Sequence, residues 1–168
     1  MAVIELSIDL GSSFITIYQK GIGLVLREPS VAIVEKVRDH FEIKEAGYKA
    51  EIIINDSLAG AKIITPIKEG VVVDDEMCAL LVKYFLQKIL PPSLLPHKIR
   101  AIVLISSTNS NSERRACEKA FVKAGVKEVT LVESPLALLA YTDSIGDHSF
   151  LQVQIWDRQN LKRLKNLA

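Results

Sequence analysis

The chain has 168 residues, which is about the length of one domain. Hydrophobic residues make up 49% of it and charged residues 24%, a balance that excludes a disordered chain and predicts a packed core. Its formal net charge of +1 offers no overall attraction to nucleic acid or to an acidic substrate, so no nucleic-acid partner is expected.

Short β-strands joined by turns are predicted for the first third of the chain. The β-forming segments are residues 3–8, 14–18, 24–26 and 31–34. Glycine and serine fill the turn after the first segment, and glycines also mark the next turn. This order favours antiparallel strands over a strand–helix–strand beginning. Residues 35–73 are more polar and less regular, and we interpret them as a small insertion with short apolar stretches at 51–54 and 61–64.

Two helices are marked by the residues at their ends. Asp74 is placed to cap the first helix, and Pro91 stops it. Its apolar residues recur at helical spacing and are Met77, Leu80, Leu81, Tyr84 and Phe85. Ser110 and Glu113 have the spacing of a capping box for the second helix, and Gly125 stands where a left-handed cap is needed.

Strands alternate with these helices from about residue 75 onward. Residues 99–105 are almost wholly apolar, which predicts a strand buried on both faces. A further strand is predicted over 127–132, a short helix from Pro135 and a last strand over 149–155. The alternation predicts an α/β domain whose mixed or parallel sheet carries helices on its faces.

Several features bear on the compartment and on metals. The first ten residues contain Glu5 and Asp9 and no basic n-region, so a cleaved secretory signal is not expected. No apolar run approaches the ~20 residues that span a bilayer. Cys78 and Cys117 lie inside apolar helical patterns, which predicts buried thiols in a reducing cytosol. The three histidines lack metal-ligand spacing, which disfavours a zinc site.

Six short motifs occur together and in order. They include Ile-Asp-Leu-Gly-Ser at 8–12, the Gly-x-Gly…Glu-Pro-Ser run at 21–30 and Glu-Ser-Pro-Leu-Ala at 133–137. The others occupy residues 67–74, 112–116 and 124–129. Asp-Leu-Gly-Ser alone is shared with sugar kinases and DnaK-type chaperones. The ordered set, over roughly residues 3–150, resembles the MreB/Mbl family of bacterial actin homologues, and it resembles the N-terminal half of that family only.

The resemblance implies an actin-like, ribonuclease H-like α/β fold. Residues 1–31 and 75–150 correspond to subdomain IA, a mixed sheet with flanking helices, and residues 32–74 to the small subdomain IB insertion. Residues 151–168 are an atypical basic tail. The second actin-like domain is expected to be absent.

The resemblance also implies a partial site for ATP and magnesium. Gly11, Ser12 and Ser13 match the first phosphate-binding turn, where backbone N–H groups form a nest for anions. Asp9 resembles the acid that orients hydrated magnesium through water. Phe14, included in this turn, stands where the family carries asparagine. Its ring either weakens polar contact with the phosphates or packs beneath the turn.

No residue is assigned a catalytic role. Ser134 occupies the position of the family's water-positioning glutamate, and a hydroxyl replaces a carboxylate poorly there. Glu133 beside it is interpreted as a structural acid. Residues 154–158 stand where the family has its second, glycine-rich phosphate loop. The family is an ATPase, but this chain is expected not to hydrolyse ATP at a family-like rate by itself.

The implied partners are MreB-type filament subunits and the inner face of the cytoplasmic membrane. Leu94 and Leu95 lie between prolines where the family has an apolar membrane-insertion loop. An equal alternative is that both leucines pack onto the core. Arg114 and Arg115 are interpreted as a solvated helix face. Three functions stay open: a truncated cell-shape protein, a non-enzymatic module that caps or regulates filaments, and one half of a split actin-like ATPase or kinase.

Overall fold

Ten strands and three helices form the part of the chain that the computed structural model describes, residues 3–55, 62–90 and 98–134. The strands are β1 (Val3–Leu10), β2 (Phe14–Gln19), β3 (Gly23–Pro29), β4 (Ala32–Val37), β5 (His40–Ala46), β6 (Lys62–Ile64), β7 (Ile67–Lys68), β8 (Val71–Val72), β9 (Lys98–Ile105) and β10 (Glu128–Glu133). The helices are α1 (Tyr48–Asn55), α2 (Asp75–Ile89) and α3 (Asn111–Lys123).

The main sheet has five strands in the order β10-β9-β1-β2-β3. β1, β2 and β3 pair antiparallel, whereas β1, β9 and β10 pair parallel. Parallel strands need crossover connections, and α2 and α3 occupy these connections. The predicted mixed sheet with an antiparallel start is confirmed.

One apolar core joins α2 and α3 to a single face of the main sheet. Alternate residues of β1 and β2 are buried, and they contact buried side chains of both helices. The core side chains of the helices include Met77, Leu81 and Phe85 of α2 and Cys117, Ala120 and Phe121 of α3. Leu80 and Tyr84 are only partly buried against this core. The predicted apolar face of α2 is therefore confirmed except at its edges.

The predicted helix ends are also confirmed. Asp74 accepts a hydrogen bond from the Met77 amide at 3.0 Å. At the start of α3, Ser110 and Glu113 form a complete capping box, and the Ser110 N–H and hydroxyl hold the pKa of the Glu113 carboxyl below its usual value. Gly125 follows α3 with a φ of 101°, the left-handed conformation that glycine adopts readily.

The insertion contains more regular structure than its sequence suggested. β4 pairs antiparallel with β5 and with β6, giving a three-stranded sheet in the order β5-β4-β6, and β7 and β8 form a separate hairpin. The apolar stretch at residues 51–54 belongs to α1, a helix that the sequence analysis missed.

The expectation that residues 99–105 are buried on both faces is wrong in part. Ala101, Val103 and Ile105 are buried on the face that α2 and α3 cover. Ile102 points to the opposite face and is 48% exposed. Leu104 lies on the same face as Ile102 and is buried, so the expectation holds at Leu104 and fails at Ile102, which lies on the face away from α2 and α3.

Some sequence predictions lie outside the described residues. These are the helix from Pro135, the strand over 149–155, the basic tail over 151–168 and the Leu94–Leu95 loop. Within the described part, no helix combines the length and apolarity needed to cross a membrane.

Both cysteines are predicted to resist thiol reagents in the native chain. Cys78 is fully buried and Cys117 is 2% exposed. Burial raises the pKa of Cys117 to about 12, and it raises the pKa of Cys78 well above its usual range. At pH 8 we expect almost no reaction with Ellman's reagent until urea is added. A Ser107→Cys variant, with its new thiol at an exposed position, is the positive control, and rapid labelling of the native wild-type chain would contradict the prediction.

Candidate phosphate-binding site

The turn between β1 and β2 brings together all the residues predicted to contact a phosphate or its metal. Asp9 is the penultimate residue of β1, and Phe14 begins β2. Ile8 and Leu10 point into the core, so the half-buried Asp9 side chain lies on the opposite face of the sheet. β1, β9 and β10 are parallel, so their carboxyl ends meet at this edge, which is where open α/β sheets commonly bind ligands.

The turn leaves no space for a side chain at Gly11. Its N–H donates to the Phe14 carbonyl oxygen at 3.0 Å, which closes the turn. A Cβ added at Gly11 would lie 2.7 Å from that same backbone oxygen. Any side chain would therefore displace the backbone of the turn, which explains why a glycine stands here.

Ser30 holds the turn from the opposite side. Its hydroxyl donates to the Gly11 carbonyl at 2.6 Å, and its N–H donates to the Ser13 carbonyl at 3.0 Å. Ser30 is 2% exposed. Two of the carbonyl groups of the turn are thus occupied inside the protein.

Two amides of the turn, those of Ser12 and Ser13, remain available to an outside acceptor. Among the described residues, no acceptor is found for the N–H groups of Ser12 and Ser13. The Ser12 hydroxyl accepts a hydrogen bond from the Gly70 amide at 2.9 Å, which leaves its own proton free to donate. Gly70 lies in the β7–β8 turn beside Glu69, a non-glycine residue with a φ of 51°. Successive backbone N–H groups with a nearby hydroxyl form an arrangement that suits an anion.

The Phe14 ring packs against its protein neighbours. Its centroid lies 6.3 Å from that of Tyr48, and the Arg27 guanidinium carbon lies 4.8 Å above the ring. These contacts show that the ring packs against side chains of β3 and α1. A contact between Phe14 and a phosphate stays a prediction.

Glu28 joins the sheet to the insertion, a role that the sequence analysis missed. One carboxylate oxygen accepts from the Tyr48 amide at 3.0 Å, which caps α1, and the other pairs with Lys88 in the last turn of α2. Gly47 leaves room for this carboxylate, since a Cβ there would overlap it. Glu28 and Ser30 belong to the Glu-Pro-Ser motif, but their partners are distant in sequence, so the motif alone does not reveal these contacts.

The residues near the expected catalytic position make structural contacts. Glu133 pairs with Arg114 at 2.6 Å, which agrees with its interpretation as a structural acid. Arg114 also donates to the Asn109 carbonyl, so its guanidinium is engaged within the fold rather than solvated as expected. Ser134 donates its hydroxyl to the Ile105 carbonyl at 3.1 Å. Neither Glu133 nor Ser134 therefore offers a free carboxylate that could orient a water molecule.

The donor set fits magnesium that arrives with a nucleotide. Within the described residues, no group of three or more histidine, cysteine or acidic side chains is placed to hold a metal ion. A single carboxylate such as Asp9 suits magnesium, which keeps several waters and takes its other ligands from phosphate oxygens.

Comparisons with known proteins identify related sequences. The family model for MreB/Mbl proteins matches residues 3–141. The cell shape-determining protein MreB of Pasteurella multocida is 32% identical over 135 residues, which cover 79% of this chain and 38% of that protein. The cell shape-determining protein Mbl of Bacillus subtilis is 30% identical over 131 residues, which cover 78% of this chain and 38% of Mbl. The chain therefore spans well under half the length of these curated relatives.

Solved structures share the fold at low sequence identity. MreB5 of Spiroplasma citri bound to ADP matches with a TM-score of 0.64 and 22% identity, covering 77% of this chain and 38% of that one. The MamK double helical filament matches with a TM-score of 0.67 and 16% identity, covering 84% of this chain and 44% of that one. The actin-like fold expected from the sequence motifs is confirmed for the part of the chain that these structures cover.

Proposed function

The chain belongs to the MreB/Mbl protein family, and from this membership we propose that it is a cytoskeletal protein of bacterial cell shape. Residues 1–31 and 75–150 would then form subdomain IA and residues 32–74 subdomain IB. The separate pairing of β4, β5 and β6 supports this division, since these strands form a sheet of their own. Filament subunits of the same family are the proposed partners, and the cytoplasm is the proposed compartment.

The β1–β2 turn is proposed to contact the phosphates of ATP. The arrangement of the turn carries this proposal. The carbonyls of Gly11 and Ser13 accept hydrogen bonds from Ser30, whereas the amides of Ser12 and Ser13 have no acceptor among the described residues. Asp9 would orient the magnesium ion through water, and magnesium would neutralise phosphate charge. The proposal is supported by the crystal structures of Spiroplasma citri MreB5, a protein with the same fold, bound to ADP and to AMPPNP.

Hydrolysis by these 168 residues alone is proposed to be weak or absent. Ser134 offers no carboxylate, and its hydroxyl is engaged by the Ile105 carbonyl. A group that orients or deprotonates the attacking water contributes typically 10²–10⁴-fold to the rate. The turn also supplies phosphate donors from one side only, and phosphoryl transfer depends on donors placed all around the transferred group.

Nucleotide binding and turnover test this function together. Calorimetric titration with magnesium AMPPNP should show weak saturable binding that Asp9→Ala removes. Asp39→Ala, a matched change at an exposed turn of the insertion, should leave binding unchanged. ATP turnover should stay at background. Absence of binding in the wild-type chain would contradict the phosphate site, and ATPase activity that disappears in Asp9→Ala would contradict the proposed inactivity.

A second candidate function is the capping or regulation of longer filaments of the family. The insertion favours it because four of its large apolar side chains are exposed, namely Tyr48, Ile52, Ile63 and Val73. A capping module would shorten preformed MreB filaments at low molar ratio without nucleotide, whereas a co-assembling subunit would need it. Association with the membrane through Leu94 and Leu95, which lie outside the described residues, stays a prediction.

A further inference from the structure

Ser30 is buried, and it donates hydrogen bonds to the carbonyl groups of Gly11 and Ser13 in the β1–β2 turn. We propose that Ser30 is a positioning residue that presets the backbone amides of the β1–β2 turn for phosphate groups. This inference rests on the proposed nucleotide site, and it names a residue that acts on the phosphates through another segment of the chain.

The first step concerns the two carbonyl groups. Ser30 binds the Gly11 carbonyl through its hydroxyl at 2.6 Å and the Ser13 carbonyl through its N–H at 3.0 Å. Both bonds come from one residue at the end of β3, 19 positions from Gly11. Because Ser30 is 2% exposed, water cannot readily replace it as a donor to these carbonyls.

The second step follows from the planar trans peptide. No peptide bond in the described residues is cis, so the N–H of each unit points opposite to its C=O. The Gly11 carbonyl shares its peptide unit with the Ser12 N–H, and the Ser13 carbonyl shares its unit with the Phe14 N–H. When Ser30 draws both carbonyls toward itself, these two N–H groups are directed to the other side of the turn.

The third step concerns the cost of binding. Donors that already point at an incoming anion need no reorganisation when it arrives, which favours binding. Without the Ser30 hydroxyl, the Gly11–Ser12 peptide unit loses the bond that fixes its orientation. A flipped unit would present a carbonyl oxygen to the phosphates in place of an N–H group, and oxygen repels them.

The decisive experiment compares Ser30→Ala with Ser110→Ala in the full chain. The Ser110 hydroxyl donates to the Glu113 carboxylate and accepts from the Glu113 amide, so its loss weakens the cap of α3 without touching the turn. The probes are magnesium AMPPNP and inorganic tripolyphosphate, followed through the amide signals of the ¹⁵N-labelled chain. We expect both probes to shift the Ser12 and Phe14 amides, and Ser30→Ala to raise both dissociation constants at least tenfold. Ser110→Ala should leave them unchanged.

Other outcomes separate the inference from the function on which it rests. A wild-type chain that binds neither probe would overturn the phosphate site and, with it, the role of Ser30. A wild-type chain that binds while Ser30→Ala binds equally well would overturn the role of Ser30 alone. Ser30→Thr keeps the hydroxyl and should restore affinity. If the added methyl group prevents that variant from folding, the ligand-free Ser12 amide signal decides: a signal in Ser30→Ala at its wild-type position would overturn the proposal.

Discussion

Replacing Gly11 with alanine is expected to abolish phosphate binding and to lower the free energy of unfolding by about 1–3 kcal/mol. The new Cβ would lie 2.7 Å from the Phe14 carbonyl oxygen, a backbone atom that cannot rotate away. The turn must therefore open, and opening breaks the hydrogen bond from the Gly11 N–H to Phe14. The Ser12 and Ser13 amides would then lose the arrangement that is proposed to bind phosphate. Urea unfolding and magnesium AMPPNP titration measure the two effects.

Gly21→Ala is the matched control for this prediction. Gly21 lies in the neighbouring β2–β3 turn with a φ of 79°, and a Cβ there meets no atom within 4 Å. Alanine at this positive φ costs about 1–2 kcal/mol of backbone strain, but it causes no steric overlap. Gly21→Ala should therefore destabilise the chain by a similar amount and retain nucleotide binding. If Gly11→Ala and Gly21→Ala bound nucleotide equally well, the turn would not be the phosphate site.

Elements with local signals could be predicted from the sequence, and elements fixed by distant contacts could not. The helix α2 follows Asp74, and α3 follows Ser110, so each carries its cap beside its own apolar pattern. The cap of α1 is the Glu28 carboxylate, which lies 20 residues away on β3. The residue before Tyr48 is Gly47, which has no side-chain oxygen to cap a helix, and the apolar stretch that follows fits a strand equally well.

In the candidate site, too, local features could be predicted from the sequence, and features fixed by distant contacts could not. Glycine and serine at residues 11–13 locate a turn, because these residues favour tight backbone bends. The contacts that shape this turn come from Ser30 and from Gly70, which lies 58 residues beyond Ser12. The exposure of Ile102 likewise depends on the side of the sheet that each crossover helix occupies, and hydrophobicity along one strand does not encode that side. The sequence therefore predicts which residues form the turn, but it does not predict the distant contacts that set the turn's geometry.

The stability of the whole sheet is predicted to depend strongly on Phe121. Its ring is fully buried in the core where α3 meets α2 and the main sheet, and Phe121→Ala should lower the free energy of unfolding by about 3–5 kcal/mol. The free energy of unfolding of a domain of this size is about 5–15 kcal/mol, so the variant should unfold at far lower urea concentrations than the wild-type chain. Val122→Ala, one position along at a site that is 55% exposed, should change stability by no more than about 0.5 kcal/mol. Equal urea midpoints for the two variants, followed by circular dichroism, would contradict the packing of α3 described above.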